Sequence, residues 1–280
     1  MTAVPAAGAV ACLACPYCGR RLALAGRALG CAAGHSFDLA RQGYVTLLPR
    51  GVRPAGGDTA EMVAARERFL GAGHFAPLTA ALVEAAGGSN DPVVDIGAGT
   101  GHHLAVVLDA MPGRVGVALD SSRPAARRAA RAHPDAVAVI ADVWRALPVR
   151  SDVAAVALNV FSPRNGAETA RILRPDGVLL VVTPEPDHLA ELVEALGLLS
   201  VDEHKPDRVA SALEPYLEPV SQVPHRWPLA LPVADALAAA AMGPSAYHVD
   251  AADLACLAAA LPDPLRTTAS VTLAAYRRRR

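Results

Sequence analysis

Cys15-Pro-Tyr-Cys18 and Cys31-Ala-Ala-Gly-His35 set three thiols and one imidazole in two close pairs, with gaps of two and three residues inside the pairs and twelve between them. Zinc takes four such ligands tetrahedrally, because each short gap lets a tight turn aim two side chains at one ion and the ion then joins the two turns. The alternative is four unrelated thiol and imidazole groups, and disulfides are disfavoured in a cytosolic chain. Gly19, Gly30 and Gly34 supply backbone freedom where the turns need it. With Cys15, Cys18, Cys31 and His35 filling every position, none is left for water or substrate, so the expected zinc is structural. Cys12 leads the run Cys12-x-x-Cys15-x-x-Cys18 and is expected to be spare, and Cys256, in an Ala/Leu-rich stretch, to lie in the core.

A second constellation is Val93-Val-Asp95-Ile-Gly97-Ala-Gly99-Thr-Gly101, three glycines between an apolar strand and a helix. Such a loop lets backbone approach a ligand closely. A dinucleotide fingerprint would separate its last two glycines by two residues; here one residue separates Gly99 from Gly101, and His102 takes the rival's third-glycine place. With an acid, Asp95, ahead of the first glycine, the loop resembles the first motif of S-adenosylmethionine-dependent methyltransferases. Asp120 ends the next strand, where an acid can bind ribose hydroxyls. Asp142 follows the third strand in Ala141-Asp142-Val143-Trp144, where methyltransferases place groups against adenine. The candidate cofactor contacts are therefore Asp95, Gly97, Gly99, Gly101, His102, His103, Asp120, Asp142 and Val143, with Asn159 from the fourth strand.

That strand runs into Asn159-Val-Phe161-Ser162-Pro163-Arg164-Asn165. Ligands of open α/β sheets lie beyond the carboxyl ends of the strands, so this loop should face the reacting methyl group. It shares an Asn, an aromatic and a Pro with the Asn/Asp-Pro-Pro-aromatic loop of amino-group methyltransferases. Asn159 is the candidate orienter of a target nitrogen and Phe161 its stacking partner; a turn with a buried Phe is the alternative. His102, His103 and His188 are candidate proton acceptors by type only.

The elements that must position these residues follow from apolar patterning. Up to about Pro54 the chain is rich in Cys, Gly and Arg with little helical periodicity. Asp58 and Glu61 suggest a capping box opening a helix through Met62, Ala65, Phe69 and Leu70; Gly71-Ala-Gly73 breaks it from a second helix through Leu78, Leu82 and Val83. From Pro92 short apolar strands alternate with helices: 93–96, 115–119, 137–140, 153–158 and 178–182, with a helix over 124–132 among them. A strand near Val220, helices around Leu237 and Leu254, and a strand over 267–276 complete the chain. The expected fold class is thus α/β, a Rossmann-like methyltransferase fold with a small N-terminal zinc-binding domain, divided as residues 1–54, a helical connector 55–90 and a catalytic domain 91–280.

At 52% hydrophobic and 19% charged, the 280 residues can bury one full core and carry a small module besides. No uninterrupted apolar run reaches the roughly 18 residues of a membrane span, and the Ala-rich opening lacks a basic leader, so a soluble, cytoplasmic protein is expected. Formal net charge is −1, yet up to Gly57 the chain holds Arg20, Arg21, Arg27, Arg41, Arg50 and Arg53 against the single acid Asp38, and it ends in Arg277 to Arg280. Lys205 is the only lysine, so arginine as a type means little; its clustering points to an anionic partner.

Together these pieces resemble the RlmA-type 23S rRNA (guanine-N1)-methyltransferases, in particular the branch that confers tylosin resistance. The likeness runs through the zinc ligands, Phe37-Asp38, Gln42-Gly-Tyr-Val45, Glu61-Met62, Gly73-His74, the Asp95 to Gly101 loop with His102-His103, Asn159 to Asn165, Thr183-Pro184 and Met242-Gly-Pro-Ser245. Tyr247 stands where the family has a tryptophan, and Cys12 is an addition. The resemblance implies S-adenosylmethionine as cofactor, 23S rRNA as partner, methylation at N1 of a guanine in the hairpin-35 loop beside the macrolide site, and a homodimer with a cleft between zinc and catalytic domains. A small-molecule methyltransferase of antibiotic biosynthesis is the alternative, favoured by the 4% aromatic content; a catalytically inert RNA-binding protein is a third, opposed by the intact glycine loop.

Overall fold

The computed structural model describes residues 4–52, 56–88, 91–199, 205–243, 256–258 and 260–279. A short helix α1 (Ala7–Val10) leads into a small antiparallel sheet of β1 (Leu22–Ala25), β2 (Ala28–Cys31) and β3 (Ser36–Asp38). The next strand, β4 (Val45–Thr46), leaves this sheet and pairs in parallel with Val139–Ile140. Two helices follow, α2 (Ala60–Gly71) and α3 (Ala76–Ala86), bent by 82° at the glycine-containing turn between them.

The cap of α2 departs from expectation. Thr59, not Asp58, is the N-cap: its hydroxyl accepts from the Met62 N–H at 3.3 Å, because Asp58 is held by an ion pair to Arg66.

The remaining chain builds the large sheet: β5 (Val93–Ile96), α4 (His102–Asp109), β6 (Gly116–Asp120), α5 (Arg123–Ala129), β7 (Ala136–Ile140), β8 (Ala154–Val160), α6 (Gly166–Ile172), β9 (Leu173–Pro184), α7 (Ala190–Leu196), α8 (Lys205–Leu213), β10 (Leu217–Leu231), α9 (Val233–Ala241) and β11 (Leu265–Arg278). Eight strands lie in the order β10-β11-β9-β8-β5-β6-β7-β4, parallel from β9 to β4, with β11 antiparallel to both its neighbours. Every residue of β5 and β7 is buried, as a parallel sheet covered on both faces demands.

One face is covered by α2, α3, α4, α5, α7 and α9, through residues such as Phe69, Leu78, Leu104 and Leu192. The other is covered by α6, α8 and the zinc-binding segment, whose Val10, Leu13, Leu22, Leu29 and Phe37 share a core with Val117, Val137 and Val139. The crossing from β7 to β8 holds no helix, and the N-terminal module fills that place. Its seam is also backbone-bonded: Ala14 donates to Pro148 O at 3.0 Å and Arg150 to Cys12 O at 2.9 Å. Among the described residues no single helix is long and apolar enough to cross a membrane. Pro244-Ser245, Tyr247, most of the helix expected around Leu254, and Arg53 and Pro54 lie outside the described residues. Cys256, expected in the core, is exposed; residues 256–258, the described part of that expected helix, are helical, and of them it is Ala258 that is buried.

Candidate active site and zinc centre

The two sequence pairs converge. Cys15 Sγ lies 3.4 Å from His35 Nδ1, Cys31 Sγ 3.5 Å from the same nitrogen, and Cys18 Sγ 3.7 Å from Cys31 Sγ; all four ligand atoms fall within 4.8 Å of one another. A tetrahedron with zinc–sulfur bonds of about 2.3 Å has sulfur–sulfur edges of roughly 3.8 Å, so the cluster has the size zinc requires. Burial raises the Cys31 thiol, but the backbone N–H groups of Ala33 and His35 together with the side chains of His35 and Cys18 outweigh it and bring the group down to about 6, favouring the thiolate a metal needs. Cys12 stays apart, its thiol donating to Gly8 O and pushed up by burial. Tyr17 stacks on Phe37 at 5.9 Å and is itself exposed.

The glycine loop sits at the carboxyl end of β5, where the strand order reverses between β6 and β8. Gly97, Gly99 and Gly101 have φ of 80°, 55° and 78°, which side chains disfavour. A Cβ at Gly97 would overlap Ser162 Cβ, one at Gly101 would lie 3.1 Å from Ala129 Cα, and one at Gly99 would meet Arg66 Nη1 at 3.3 Å. The first and third glycines therefore allow close packing of neighbouring elements, while Gly99 leaves a gap beneath an arginine. Asp120 braces the loop, accepting from Gly99 N at 2.8 Å and Ser122 N at 2.7 Å. Asp95 is buried, and burial together with the charge of Asp120 raises its carboxyl to about 8. His103 is buried against Thr79 Oγ1 at 3.2 Å, and burial lowers it to about 3, so it is neutral; burial also lowers His102. Asp142 accepts from Trp144 N at 3.0 Å, and the buried Val143 turns its carbonyl to Asn165 Nδ2 at 3.0 Å.

At the end of β8, Asn159 is 2% exposed. Its Nδ2 donates to Pro163 O at 2.7 Å, which leaves Oδ1 buried with no hydrogen-bond partner. A buried acceptor without a donor costs roughly 1–3 kcal/mol, so this oxygen is suited to a ligand donor. Phe161 is held at φ 52° and is 40% exposed, which rules out the buried-turn alternative for its ring. Beside it stand Phe75 at 6.1 Å and His188 at 5.9 Å, with Trp227 5.7 Å from Phe75. Of the three histidines singled out by type, His188 is the one brought to this ring. A separate cavity of about 650 Å³ opens between the zinc turn and the segment after β7, lined by Tyr17, Pro49, Asp142, Arg145 and Arg150 among others.

A zinc-ribbon family model described as RlmA, N-terminal, matches residues 13–52. The 23S rRNA (guanine(748)-N(1))-methyltransferase of Streptomyces fradiae is 54% identical over 95% of this chain and 96% of its own. A Micromonospora griseorubida protein, provisionally named a 23S rRNA (guanine-N1)-methyltransferase, is also 54% identical, over 95% of this chain and 97% of its own. The chain belongs to the 23S rRNA (guanine-N1)-methyltransferase family. A solved structure from Bacillus halodurans, provisionally named a methyltransferase, is similar in fold with a TM-score of 0.50 at 15% identity, covering 71% of this chain and 97% of that one.

For a member of this family, the structure adds residues that sequence patterning missed. Arg66 reaches over the glycine loop from α2, outside the sheet, and spacing carries no sign of it. Phe75 comes to Phe161 from a helix start, and Trp227, on the edge strand β10, packs against Phe75 with its Nε1 fixed by His74 O at 2.9 Å. A lone aromatic in an exposed strand carries no sequence signal of such a meeting.

Proposed function

We propose that this protein transfers a methyl group from S-adenosylmethionine to N1 of a guanine in the hairpin-35 loop of 23S rRNA, the nucleotide corresponding to the one in the name of the Streptomyces fradiae relative, and so confers tolerance of tylosin-like macrolides. Kinship along nearly the whole chain carries this reading. It works in the cytoplasm, as a homodimer, as the family likeness implies. The chain divides functionally into the zinc module 1–54, the connector 55–90 and the catalytic part 91–280.

The cofactor supplies an electrophilic methyl group on a sulfonium, and the protein's task is alignment of nitrogen, carbon and sulfur. Gly97 to Gly101 form the cradle, with Asp95, His102 and His103 behind it and Asp120, Asp142 and Val143 toward the nucleoside. Guanine presents two donors side by side, N1–H and the exocyclic amine. Asn159 Oδ1, locked as an acceptor by the Nδ2–Pro163 bond, suits that edge and not adenine N1. Phe161 offers a ring face for stacking, worth about 1–3 kcal/mol per base. His188, beside that ring, is positioned to take the N1 proton.

The test is expression in a sensitive bacterium lacking its own copy. A primer-extension stop at the hairpin and raised tylosin tolerance are expected, both lost in Asn159→Ala. Unmodified ribosomal RNA, with a macrolide precursor gaining the methyl group instead, would establish the small-molecule alternative.

A further inference from the structure

Above the glycine loop the structure holds an ion pair that the sheet itself does not require. Asp58 and Arg66 are paired across the start of α2. Arg66 is also anchored from behind, its Nη2 donating to Met242 O at 2.9 Å at the carboxyl end of α9. Its other terminal nitrogen is the atom nearest the bare Cα face of Gly99. Asp58 belongs to a strap laid over the end of β6: its carbonyl accepts from Ser122 Oγ at 2.7 Å, and a Cβ at Gly57 would stand 3.3 Å from Ser122 Cα. A guanidinium fixed on one side and aimed at a glycine gap on the other is built to take a carboxylate. The carboxylate it now holds is supplied by its own chain.

We propose that Arg66 anchors the carboxylate of the cofactor's amino-acid end, and that Asp58 occupies this anchor until the cofactor arrives. The inference rests on the S-adenosylmethionine reading above. With the nucleoside toward Asp120 and Asp142, the amino-acid end lies over Gly97 to Gly99, within reach of Arg66. Binding then exchanges one carboxylate for another on the same guanidinium, and the Asp58 carboxylate is released while its backbone carbonyl stays on Ser122. Asp58 is a competitor for Arg66, not its positioner.

Calorimetry on the full chain tests this with two probes: S-adenosylhomocysteine, which has the carboxylate, and methylthioadenosine, which lacks the whole amino-acid end. Arg66→Gln should weaken S-adenosylhomocysteine roughly tenfold to a hundredfold, the range of one charge-assisted hydrogen-bonded contact, while methylthioadenosine changes by less than about twofold. Arg66→Lys should recover part of the loss. Asp58→Asn should tighten S-adenosylhomocysteine several-fold and have no such effect when Arg66 is already Gln. Equal loss of both probes in Arg66→Gln would make Arg66 a structural residue and overturn the proposal. So would weakened S-adenosylhomocysteine binding in Asp58→Asn, which would make Asp58 the residue that orients Arg66. Failure of the wild-type chain to bind either probe would overturn the cofactor reading itself, an outcome separable from any effect of Arg66.

Discussion

Asp95 shows how a single side chain ties stability to the loop it serves. Its carboxyl is raised to about 8 by burial and by the charge of Asp120, against about 3.9 in an unfolded chain. Between these values the folded form keeps a proton that the unfolded form has lost. Stability from this group is therefore complete at low pH and declines as pH rises from about 4 through about 8. Asp95→Asn, which has no proton to lose, should melt at a higher temperature relative to wild type at pH 8 than at pH 5, by a few degrees. Thermal melts of ligand-free protein check this, and a difference independent of pH would show that Asp95 is ionised in the fold. Asp95 is legible in the sequence through its place before Gly97. The orphaned Asn159 Oδ1 and the Arg66 bridge are not, because both depend on how a loop folds back or a remote helix lands. Asp58 departs from its capping pattern for the same reason: the pattern is local, whereas its ion pair to Arg66 spans two turns of α2.

The elements themselves are legible wherever burial imposes a period. β5 falls on the expected residues, and β6 to β8 shift only at their ends; β10 extends well beyond its apolar centre because antiparallel pairing with β11 continues where hydrophobicity stops, whereas β9 begins early, at Leu173, which pairs with Ala154 of β8. The zinc module is legible as a ligand pattern but not as a sheet component. Two residues of β4 carry no strand signal of their own, and their conformation comes from β7. This docking changes what the metal holds together. Leu13, Leu22 and Leu29 are fully buried in the core shared with Val137 and Val139, and the receiving segment is pinned by Glu168, which accepts from Leu147 N at 2.6 Å and pairs with Arg171. Removing zinc should therefore lower the melting of the whole chain by roughly ten degrees, given the several kcal/mol at stake in a structural site, and not merely melt the knuckle. Calorimetric scans of chelated protein check this, and an unchanged main transition would show that the module is thermally independent.

At the scale of the whole molecule, charge is distributed where the fold can use it. Arg20, Arg21, Arg27, Arg41 and Arg50 are all exposed on the N-terminal module, while the formal net charge of the chain is −1. RNA affinity should thus be local to that surface. Replacing Arg20 and Arg21 together by Gln should reduce the slope of log affinity against log salt by about 0.7–0.9 for each phosphate no longer neutralised, with cofactor affinity unchanged; an unaltered slope in a filter-binding titration would move the RNA path elsewhere. The C-terminal arginines are differently employed, since Arg278 pairs with Asp152 and Arg279 donates to Glu214 O. The pairing of Val45–Thr46 with Val139–Ile140 also has a consequence during synthesis. The zinc ligands leave the ribosome early, but the strand that receives β4 follows roughly five to twenty seconds later at 5–20 residues per second. For that interval the nascent ribbon displays Leu13, Leu22 and Leu29 to water with nothing to cover them. Early capture of zinc would keep this apolar face in one shape until its partner is translated.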